Sequence, residues 1–297
     1  MKLLVTGAKG QVGSALCRLG ALRSDFQLLG FDSRQLDITS EAAVADAVHT
    51  VRPDIVINAA AYTAVDRAES EQELAFRING EAPGFLARAC ESASIPLLHF
   101  STDYVFDGTK TEAYTESDPV CPLGIYGYSK LRGEQNIQMA GCSYLILRTS
   151  WVFGLEGHNF PKTMLRLAGE RSELSVVNDQ IGCPTFADDI ASTVFKLVEA
   201  ISSQAAIPWG LYHFAGNRPC SWYDVASLTI EKALVSGLIA RRPLVHPIST
   251  DQYPTPARRP QNSRLSSEAL KAAFPGVVAS NWELGLEKLV YSEKNKI

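Results

Sequence analysis

The chain has 297 residues, of which 46% are hydrophobic and 20% are charged. This composition fits one large or two modest globular domains, and it excludes a disordered, collagen-like or disulfide-scaffold protein. The net charge of −4 argues against a nucleic-acid-binding protein, which usually carries a basic surplus, and no apolar run reaches the ~18 residues that a membrane-spanning helix needs.

The first half of the chain alternates between short apolar runs and longer segments with the apolar spacing of a helix. The predicted strands are 2–6, 27–31, 54–58, 96–101 and 144–148. The predicted helices between them are 11–22, 40–51, 73–93 and 126–140. This alternation predicts an α/β fold with a Rossmann-type, doubly wound parallel sheet that has helices on both faces.

After Trp151 the alternation is lost. The predicted helices of this part are 160–168, 188–200, 221–236, 266–273 and 282–291, and the predicted strands are 174–177 and 211–214. We expect a dinucleotide-binding domain over residues 1–150 that also takes in about 174–215. Residues 151–173 and 216–297 would then form a smaller C-terminal substrate-binding domain.

A glycine-rich turn follows the first predicted strand and begins the first helix. Gly7, Gly10 and Gly13 have the spacing G-x-x-G-x-x-G. Glycine allows close backbone approach, and a helix N-terminus offers free N–H groups to a pyrophosphate. The turn therefore predicts dinucleotide binding.

Residues after the second and third strands fit the rest of a dinucleotide. Asp32 is about where an acidic residue holds the adenosine ribose, which favours NADH. Lys9 and Arg34 are cations that suit the 2′-phosphate of NADPH, so the choice between NADH and NADPH stays open. Asp37 and Ile38 are candidates for flanking the adenine, and the small residues after Asn58 admit a cofactor backbone.

A tyrosine and a lysine stand four residues apart in the helix predicted over 126–140. Tyr126 and Lys130 would share one helix face, whereas Tyr128 would point elsewhere. A nearby ammonium lowers the pKa of a phenol, which prepares the phenol to pass a proton to a carbonyl oxygen. Ser101 and Thr102 end the fourth strand, and because side chains alternate we expect only Thr102 to face the substrate.

Together these segments resemble the extended short-chain dehydrogenase/reductase family, over nearly the whole chain. Beyond the glycine turn and Y-x-x-x-K, the resemblance is carried by the segments 58–69, 101–106, 148–152, 159–165, 178–180, 253–256 and 259–264. It implies reduction of the 4-keto group of a dTDP-sugar with hydride from NADPH or NADH.

The resemblance also implies a role for each matching residue. The catalytic residues would be Tyr126, Lys130, which would also anchor the ribose, and Thr102. The cofactor would be held by Gly7, Gly10, Gln11, Val12, Gly13, Asp32, Asp37, Ile38, Ala59, Ala60, Ala61, Tyr62 and Thr63, together with Tyr126 and Lys130. The substrate would be bound by Thr102, Asp103, Trp151 and Arg259.

One departure from the family concerns a metal that bridges some dimers through glutamates. Ser14 and Ala15 stand where one of those glutamates would be, and Asp188 stands at another of the positions. We therefore expect no metal site, and both monomer and homodimer stay open.

A loop dense in proline and arginine offers cations for the substrate diphosphate. Arg258, Arg259 and Arg264 are the candidates, because bidentate guanidinium groups suit phosphate oxygens. The alternative is that these arginines brace the loop through carboxylates. Trp151 and Trp282 have the plainer alternative of being core residues.

Two other functions are weighed against reduction. A sugar-nucleotide epimerase or 4,6-dehydratase shares the fold, but a dehydratase usually needs an acid and a base here, and Asp103 is followed by Tyr104. The second alternative is a non-catalytic regulatory subunit resembling that of methionine adenosyltransferase, against which Thr102, Tyr126 and Lys130 argue.

The cysteines indicate the compartment. Six are scattered without a C-x-x-C pair or zinc-ligand spacing. The apolar run before Gly7 is too short for a signal peptide. We expect reduced thiols and a cytoplasmic location.

Overall fold

A computed structural model describes residues 1–203 and 206–296 of the chain. Residues 204, 205 and 297, which fall inside the predicted domain ranges, lie outside this description. Its strands are β1 (Lys2–Thr6), β2 (Gln27–Phe31), β3 (Ile55–Asn58), β4 (Leu97–Thr102), β5 (Tyr144–Thr149), β6 (Val152–Phe153), β7 (Glu173–Val177), β8 (Ile181–Gly182), β9 (Thr185–Phe186), β10 (Gly210–His213), β11 (Cys220–Ser221) and β12 (Leu244–Ile248). Its α-helices are α1 (Gln11–Gly20), α2 (Glu41–Val51), α3 (Val65–Ala68), α4 (Gln72–Phe76), α5 (Ala82–Ala93), α6 (Ile125–Ala140), α7 (Phe160–Glu170), α8 (Ala187–Ser203), α9 (Trp222–Ser236), α10 (Glu268–Ala273) and α11 (Trp282–Lys294).

Six parallel strands form the central sheet, in the order β10-β5-β4-β3-β1-β2. The β3 strand is fully buried, as its continuous run Ile55-Val56-Ile57 predicts for a sheet covered on both faces. Side chains of α1 and α8 pack on one face, and those of α2 and α5 pack on the other. The predicted Rossmann-type, doubly wound sheet is confirmed.

The rest of the chain forms a smaller body around short strand pairs. The β7 strand pairs in parallel with β12, β8 pairs with β11, and β6 pairs with β9. Phe153, Phe186, Trp282 and Leu286 form its core. Trp282 is therefore a core residue, the plainer of its two predicted roles.

The stretch predicted to join the dinucleotide-binding domain is divided between the two bodies. From 174–215 the sheet receives β10, and α8 covers one of its faces. The β7 strand instead pairs with β12 outside the sheet. The domain boundaries themselves stay a prediction.

The helix predicted over 73–93 is the largest local difference. The structure has α4, then a π-helical turn over Arg77–Glu81, then α5. Such turns are frequent at functional sites. Elsewhere most predicted elements are found with ends shifted by one to three residues, while β12 and several two-residue strands were not predicted.

Two further expectations from the sequence concern the cysteines and membrane-spanning helices. All six cysteines are free thiols, and four of them are buried. Among the described residues, the helices include none that is long and apolar enough to span a bilayer.

Candidate active site

The glycine turn brings β1 against the end of β3. Gly7 has a φ of +69°, and an added Cβ there would lie 2.5 Å from the Ala60 nitrogen. At Gly13 an added Cβ would collide with the Gly7 carbonyl. Gly10 donates its N–H to the Gly7 carbonyl at 2.9 Å. The three glycines are therefore needed where the first helix meets the sheet.

A cavity of about 670 Å³ opens above these strand ends. Of the predicted cofactor residues it is lined by Gly7, Gly10, Asp32, Asp37, Ile38, Ala59, Ala60, Ala61, Tyr62 and Thr63. Lys9, Arg34 and Thr39 also line it. The cavity gathers the predicted adenosine and pyrophosphate residues on one surface, at the sheet edge where open α/β sheets bind ligands.

The other predicted cofactor residues do not line this cavity; they are Gln11, Val12, Gly13, Tyr126 and Lys130. The Gln11 side chain donates to the Val152 carbonyl at 3.3 Å and accepts from Asn159 at 3.1 Å. Val12 packs against the core, and Gly13 packs on Gly7. The backbone N–H groups of Gln11, Val12 and Gly13 still belong to the first turn of helix α1, which follows the glycine turn directly.

Asp32 is the charged centre of the cavity's far end. Its Oδ1 accepts from the Arg34 N–H at 2.9 Å, and its Oδ2 forms an ion pair with Lys9. Lys9 and then the Arg34 N–H lower the pKa of Asp32. Arg34 is exposed at the rim. This end of the cavity therefore has both an acid that suits ribose hydroxyls and cations that suit a phosphate group.

Asn79, which the sequence did not single out, holds the wall of the cavity. It is buried in the π-helical turn, accepts from the Tyr62 N–H at 2.8 Å and donates to the Tyr62 carbonyl at 2.9 Å. The Tyr62 hydroxyl donates to Glu71 at 2.7 Å. The sequence offers one signal for Asn79, which is an amide side chain within an apolar helical pattern. An exposed residue gives the same signal.

The predicted catalytic tyrosine and lysine lie one turn apart on α6. Burial raises the pKa of Tyr126 to about 12, and a hydrogen bond with Thr102 opposes that rise. Tyr128 is exposed, as predicted. The phenol is therefore protonated at neutral pH.

Lys130 does not act on Tyr126 as predicted. Burial lowers the pKa of Lys130 to about 8, and its Nζ donates to the Phe100 carbonyl at 2.6 Å. The structure gives no hydrogen bond between these two described side chains. The expected lowering of the phenol's pKa is wrong here, because the lysine points to the end of β4 and burial dominates the titration of the phenol.

Ser101 and Thr102 have different partners, as their alternation along β4 requires. The Ser101 hydroxyl donates to Glu134. The Thr102 hydroxyl accepts from the Tyr104 N–H at 3.2 Å and donates to Asp103 at 3.1 Å. It lies close enough to the Tyr126 phenol to lower the pKa of that phenol. Thr102 is thus the hydroxyl beside the tyrosine.

Asp103, which follows Thr102 in the chain, also has an unpaired carboxyl oxygen at this sheet edge. It is 2% exposed, and its Oδ2 makes no hydrogen bond of normal geometry. Burial raises its pKa to about 7, and the neighbouring Thr102 and Ser263 hydroxyls oppose that rise. Buried polar atoms are nearly always satisfied, so an orphaned carboxyl oxygen suggests a group that a ligand would supply.

Trp151 and Arg259, two of the predicted substrate-binding residues, each contact another side chain in this structure. Trp151 has a φ of +48° and stacks on Trp222 with centroids 3.6 Å apart. Arg259 donates to Asp66 at 2.8 Å and to the Ala257 carbonyl at 3.0 Å. Arg264 donates to Asn262 at 2.8 Å, whereas Arg258 is exposed. In this structure, Arg259 and Arg264 both brace the loop.

A metal was not expected, and the residues concerned have other partners. Asp188 accepts from Arg18 at 2.5 Å, and Arg18 also donates to Glu156 at 2.9 Å. Ser14 donates to the Ala8 carbonyl at 3.1 Å. Within the part of the chain that the structure describes, His, Cys, Asp and Glu side chains form no group of three able to hold a metal ion.

A doubly wound parallel sheet, a glycine turn and a Thr–Tyr–Lys group at one sheet edge define a Rossmann-type oxidoreductase of the extended short-chain dehydrogenase/reductase class. The family model described as "RmlD substrate binding domain" matches residues 1–294, and the chain belongs to this family.

Relatives with curated names match over nearly their full length. The dTDP-4-dehydrorhamnose reductase of Aggregatibacter actinomycetemcomitans is 42% identical, over 98% of this chain and 99% of its own. That of Escherichia coli K12 is 40% identical, over 98% and 97%. The crystal structure of dTDP-4-dehydrorhamnose reductase from Bacillus anthracis in complex with NADP has a TM-score of 0.87 and 37% identity, and covers 98% of each chain.

Proposed function

We propose that this chain reduces the 4-keto group of dTDP-4-dehydro-β-L-rhamnose to give dTDP-β-L-rhamnose, with hydride from NADPH or NADH. The observation that carries the proposal is the position of the Tyr126 phenol, beside Thr102, one helical turn from Lys130 and at the same sheet edge as the cavity lined by the predicted cofactor residues. The full-length similarity to curated reductases of this substrate supports the choice of reaction.

The cofactor cavity fits a nicotinamide dinucleotide. The glycine turn is a cradle that a Cβ at Gly7 would fill. Gly7 and Gly10 would hold the pyrophosphate with the first turn of α1, Asp32 and Asp37 the adenosine end, and Ala61–Thr63 the part beyond it. When bound, the nicotinamide supplies the hydride that reaches the keto carbon.

The chain's own residues supply the proton and the polarisation. Because its pKa is about 12, Tyr126 holds its proton at neutral pH and can give it to the ketone oxygen as negative charge develops there. The Thr102 hydroxyl beside the phenol would hydrogen-bond the same oxygen. A protonated phenol is the form that a reductase needs in its forward direction.

The sugar and diphosphate would be bound by groups around this point. The orphaned oxygen of Asp103 is available to a sugar hydroxyl. Trp151 would contact the sugar through its indole ring, which Trp222 holds in place by stacking. Arg259 would take a diphosphate oxygen as a partner in addition to Asp66.

The test compares Tyr126→Phe with Tyr128→Phe in reduction of the keto-sugar. We expect the first change to lower kcat by about 10² or more, since it removes the proton donor. The second change removes the hydroxyl of an exposed tyrosine on the same helix and should leave kcat unchanged.

The same assay separates the alternatives. We expect one oxidised cofactor released for each product formed, because epimerases and dehydratases regenerate theirs. Native protein that oxidises neither NADPH nor NADH with this keto-sugar would contradict the proposal and favour a regulatory subunit.

A further inference from the structure

A row of buried polar side chains runs across three neighbouring strands to the catalytic lysine. Thr6, Asn58 and His99 are adjacent in register on β1, β3 and β4. Each is at most 1% exposed. His99 Nε2 lies 3.3 Å from Lys130 Nζ, so the row ends on a residue of the candidate site.

Backbone geometry fixes the orientation of the Asn58 amide. The Ala60 N–H donates at 3.1 Å to one amide atom, which must therefore be the oxygen. The Thr6 hydroxyl donates to the same oxygen at 2.7 Å. The Asn58 NH₂ group therefore faces His99 Nδ1, at 2.9 Å.

The amide in turn fixes the proton on His99. An NH₂ group can only donate, so Nδ1 must accept, and a neutral imidazole then carries its hydrogen on Nε2. Burial and the neighbouring Lys130 lower the pKa of His99 well below its usual value, which keeps the ring neutral. The Nε2–H bond thus points at Lys130 Nζ.

We propose that the row Thr6–Asn58–His99 locks His99 in the Nε2–H tautomer, so that His99 presents a hydrogen-bond donor to Lys130 and favours the neutral amine. A neutral amine can donate to the Phe100 carbonyl and accept from Nε2–H. An ammonium has no lone pair and would face His99 donor to donor. His99 is thus a positioning residue that controls the charge of Lys130.

Other charged groups around the lysine act on the same equilibrium. Glu134, on the same helix, raises the pKa of Lys130, while burial lowers it to about 8. Arg148 on β5 pairs with Glu134 at 2.7 Å and reduces its influence. The groups near Lys130 that titrate or carry charge are His99, Tyr126, Glu134 and, through its pair with Glu134, Arg148. Of these groups, His99 offers Lys130 a hydrogen bond that the neutral amine of Lys130 can accept and its ammonium cannot.

The first measurement is the ¹⁵N NMR spectrum of the histidine rings in the native, cofactor-free protein. We expect His99 to show the Nε2–H tautomer from pH 8 down to pH 5. An Nδ1–H tautomer or a protonated ring in that range would overturn the proposal. His49, His158 and His246 are exposed, so replacing each by Gln assigns their signals even if a His99 variant does not fold, and His213→Gln completes the assignment.

The second measurement reverses the tautomer with an isosteric change. Asn58→Asp replaces the NH₂ donor by an acceptor, so Nδ1 must donate and Nε2 becomes an acceptor for the Lys130 ammonium. We expect the tautomer to change to Nδ1–H and the pKa of Lys130, followed by ¹³Cε-lysine NMR with Lys130→Arg as assignment, to rise by a pH unit or more.

The same experiment shows whether the negative charge added by Asn58→Asp, rather than the tautomer change, raises the pKa of Lys130. A carboxylate at residue 58 could raise the pKa of Lys130 through space, so a rise without the tautomer change would overturn the proposal. The importance of Lys130 rests on the proposed function, but these spectra need neither cofactor nor substrate. Failure of the reductase assay and failure of the tautomer assignment are therefore distinguishable.

Discussion

Burial shifts the pKa values of the three titratable groups of the candidate site toward the neutral form of each group. It raises the pKa of Tyr126 to about 12 and so keeps the acid form, lowers that of Lys130 to about 8, and raises that of Asp103 to about 7. Because desolvation disfavours the charged form of each group, Tyr126 and Asp103 resist ionisation while Lys130 loses charge more readily. Perturbed groups collected at one sheet edge are typical of an active site.

Asp103 makes the free energy of unfolding depend on pH. Its pKa is about 7 in the folded chain and near 3.8 when exposed, so between pH 4 and 7 the folded state binds more protons. Stability contributed by this group is therefore lost as pH rises through that window. We expect Asp103→Asn to reduce the fall in unfolding free energy between pH 5 and pH 7, measured by urea denaturation.

The matched control is Asp46→Asn, a change at an exposed aspartate of α2. It should leave the pH dependence as in the native chain. If Asp103→Asn keeps the native pH dependence, the carboxyl is ionised in the folded state and burial does not govern it.

Single residues of the site could be predicted from the sequence where a local pattern specifies them. The glycine turn, Asp32, Thr102 and the tyrosine–lysine spacing each depend on neighbours in the chain. The partners of Lys130 could not be predicted, because His99 and the Phe100 carbonyl meet it through the packing of α6 on β4. Spacing on a helix places two side chains on one face but does not say what either one contacts.

Helix α6, which carries the predicted catalytic pair, is fixed to the sheet by a buried ion pair. Glu134 accepts from Arg148 on β5 through both oxygens, at 2.9 and 2.7 Å, and also accepts from Ser101 on β4. Glu134 and Arg148 are 1% and 4% exposed. This bidentate contact sets how α6 lies over the ends of β4 and β5.

Breaking this pair should cost much more stability than breaking a surface pair. Glu134→Ala leaves the Arg148 guanidinium buried without its partner, so we expect a loss of about 3–5 kcal/mol in urea denaturation. Replacing both residues with Glu134→Leu and Arg148→Met should recover most of that loss, because no charge is left buried.

The comparison is Glu170→Ala, which breaks the exposed pair with Arg166 on α7 and should cost less than about 1 kcal/mol. Equal losses for Glu134→Ala and Glu170→Ala would show that the buried pair does not fix α6.

Elements could be predicted where their residues act locally and not where distant contacts decide. The predicted helix over 73–93 is interrupted because Asn79 bonds Tyr62 and its carbonyl lies against Gly133 of α6. The β12 strand contains Pro247 and is mostly exposed, so it lacks the alternation of a half-buried strand. It exists because β7 pairs with it at the margin of a two-stranded sheet, where proline is tolerated.

At the scale of the molecule, side-chain contacts such as Asn159 with Gln11 and Arg259 with Asp66 join the second body to the first. The alternation of strands and helices predicts the large sheet, because each βαβ unit is local. Ser263 and Arg259 lie on a loop whose position depends on long-range contacts. Examples are the Ser280 hydroxyl on Asp189 at 2.7 Å and the ion pair of Arg259 with Asp66. Trp151 and Arg259 could be named from the sequence without being placed.

The Arg259–Asp66 pair allows the roles of bracing and substrate binding to be separated. If Arg259 binds the substrate diphosphate, Arg259→Ala removes a charged hydrogen bond worth about 1.5–3 kcal/mol. We expect the KM for the sugar nucleotide to rise at least about tenfold, with the Kd for NADPH unchanged. Asp66→Asn keeps the guanidinium and weakens only the brace, so its KM should rise much less.

Arg258→Ala, at the exposed neighbour, should behave as the native protein. Equal effects of Arg259→Ala and Asp66→Asn would mean that the arginine acts only by bracing the loop. The diphosphate would then have to be bound by other cations, of which Arg264 on the same loop is the next to be tested, because a chain with a net charge of −4 can hold an anionic substrate only where cations are locally concentrated.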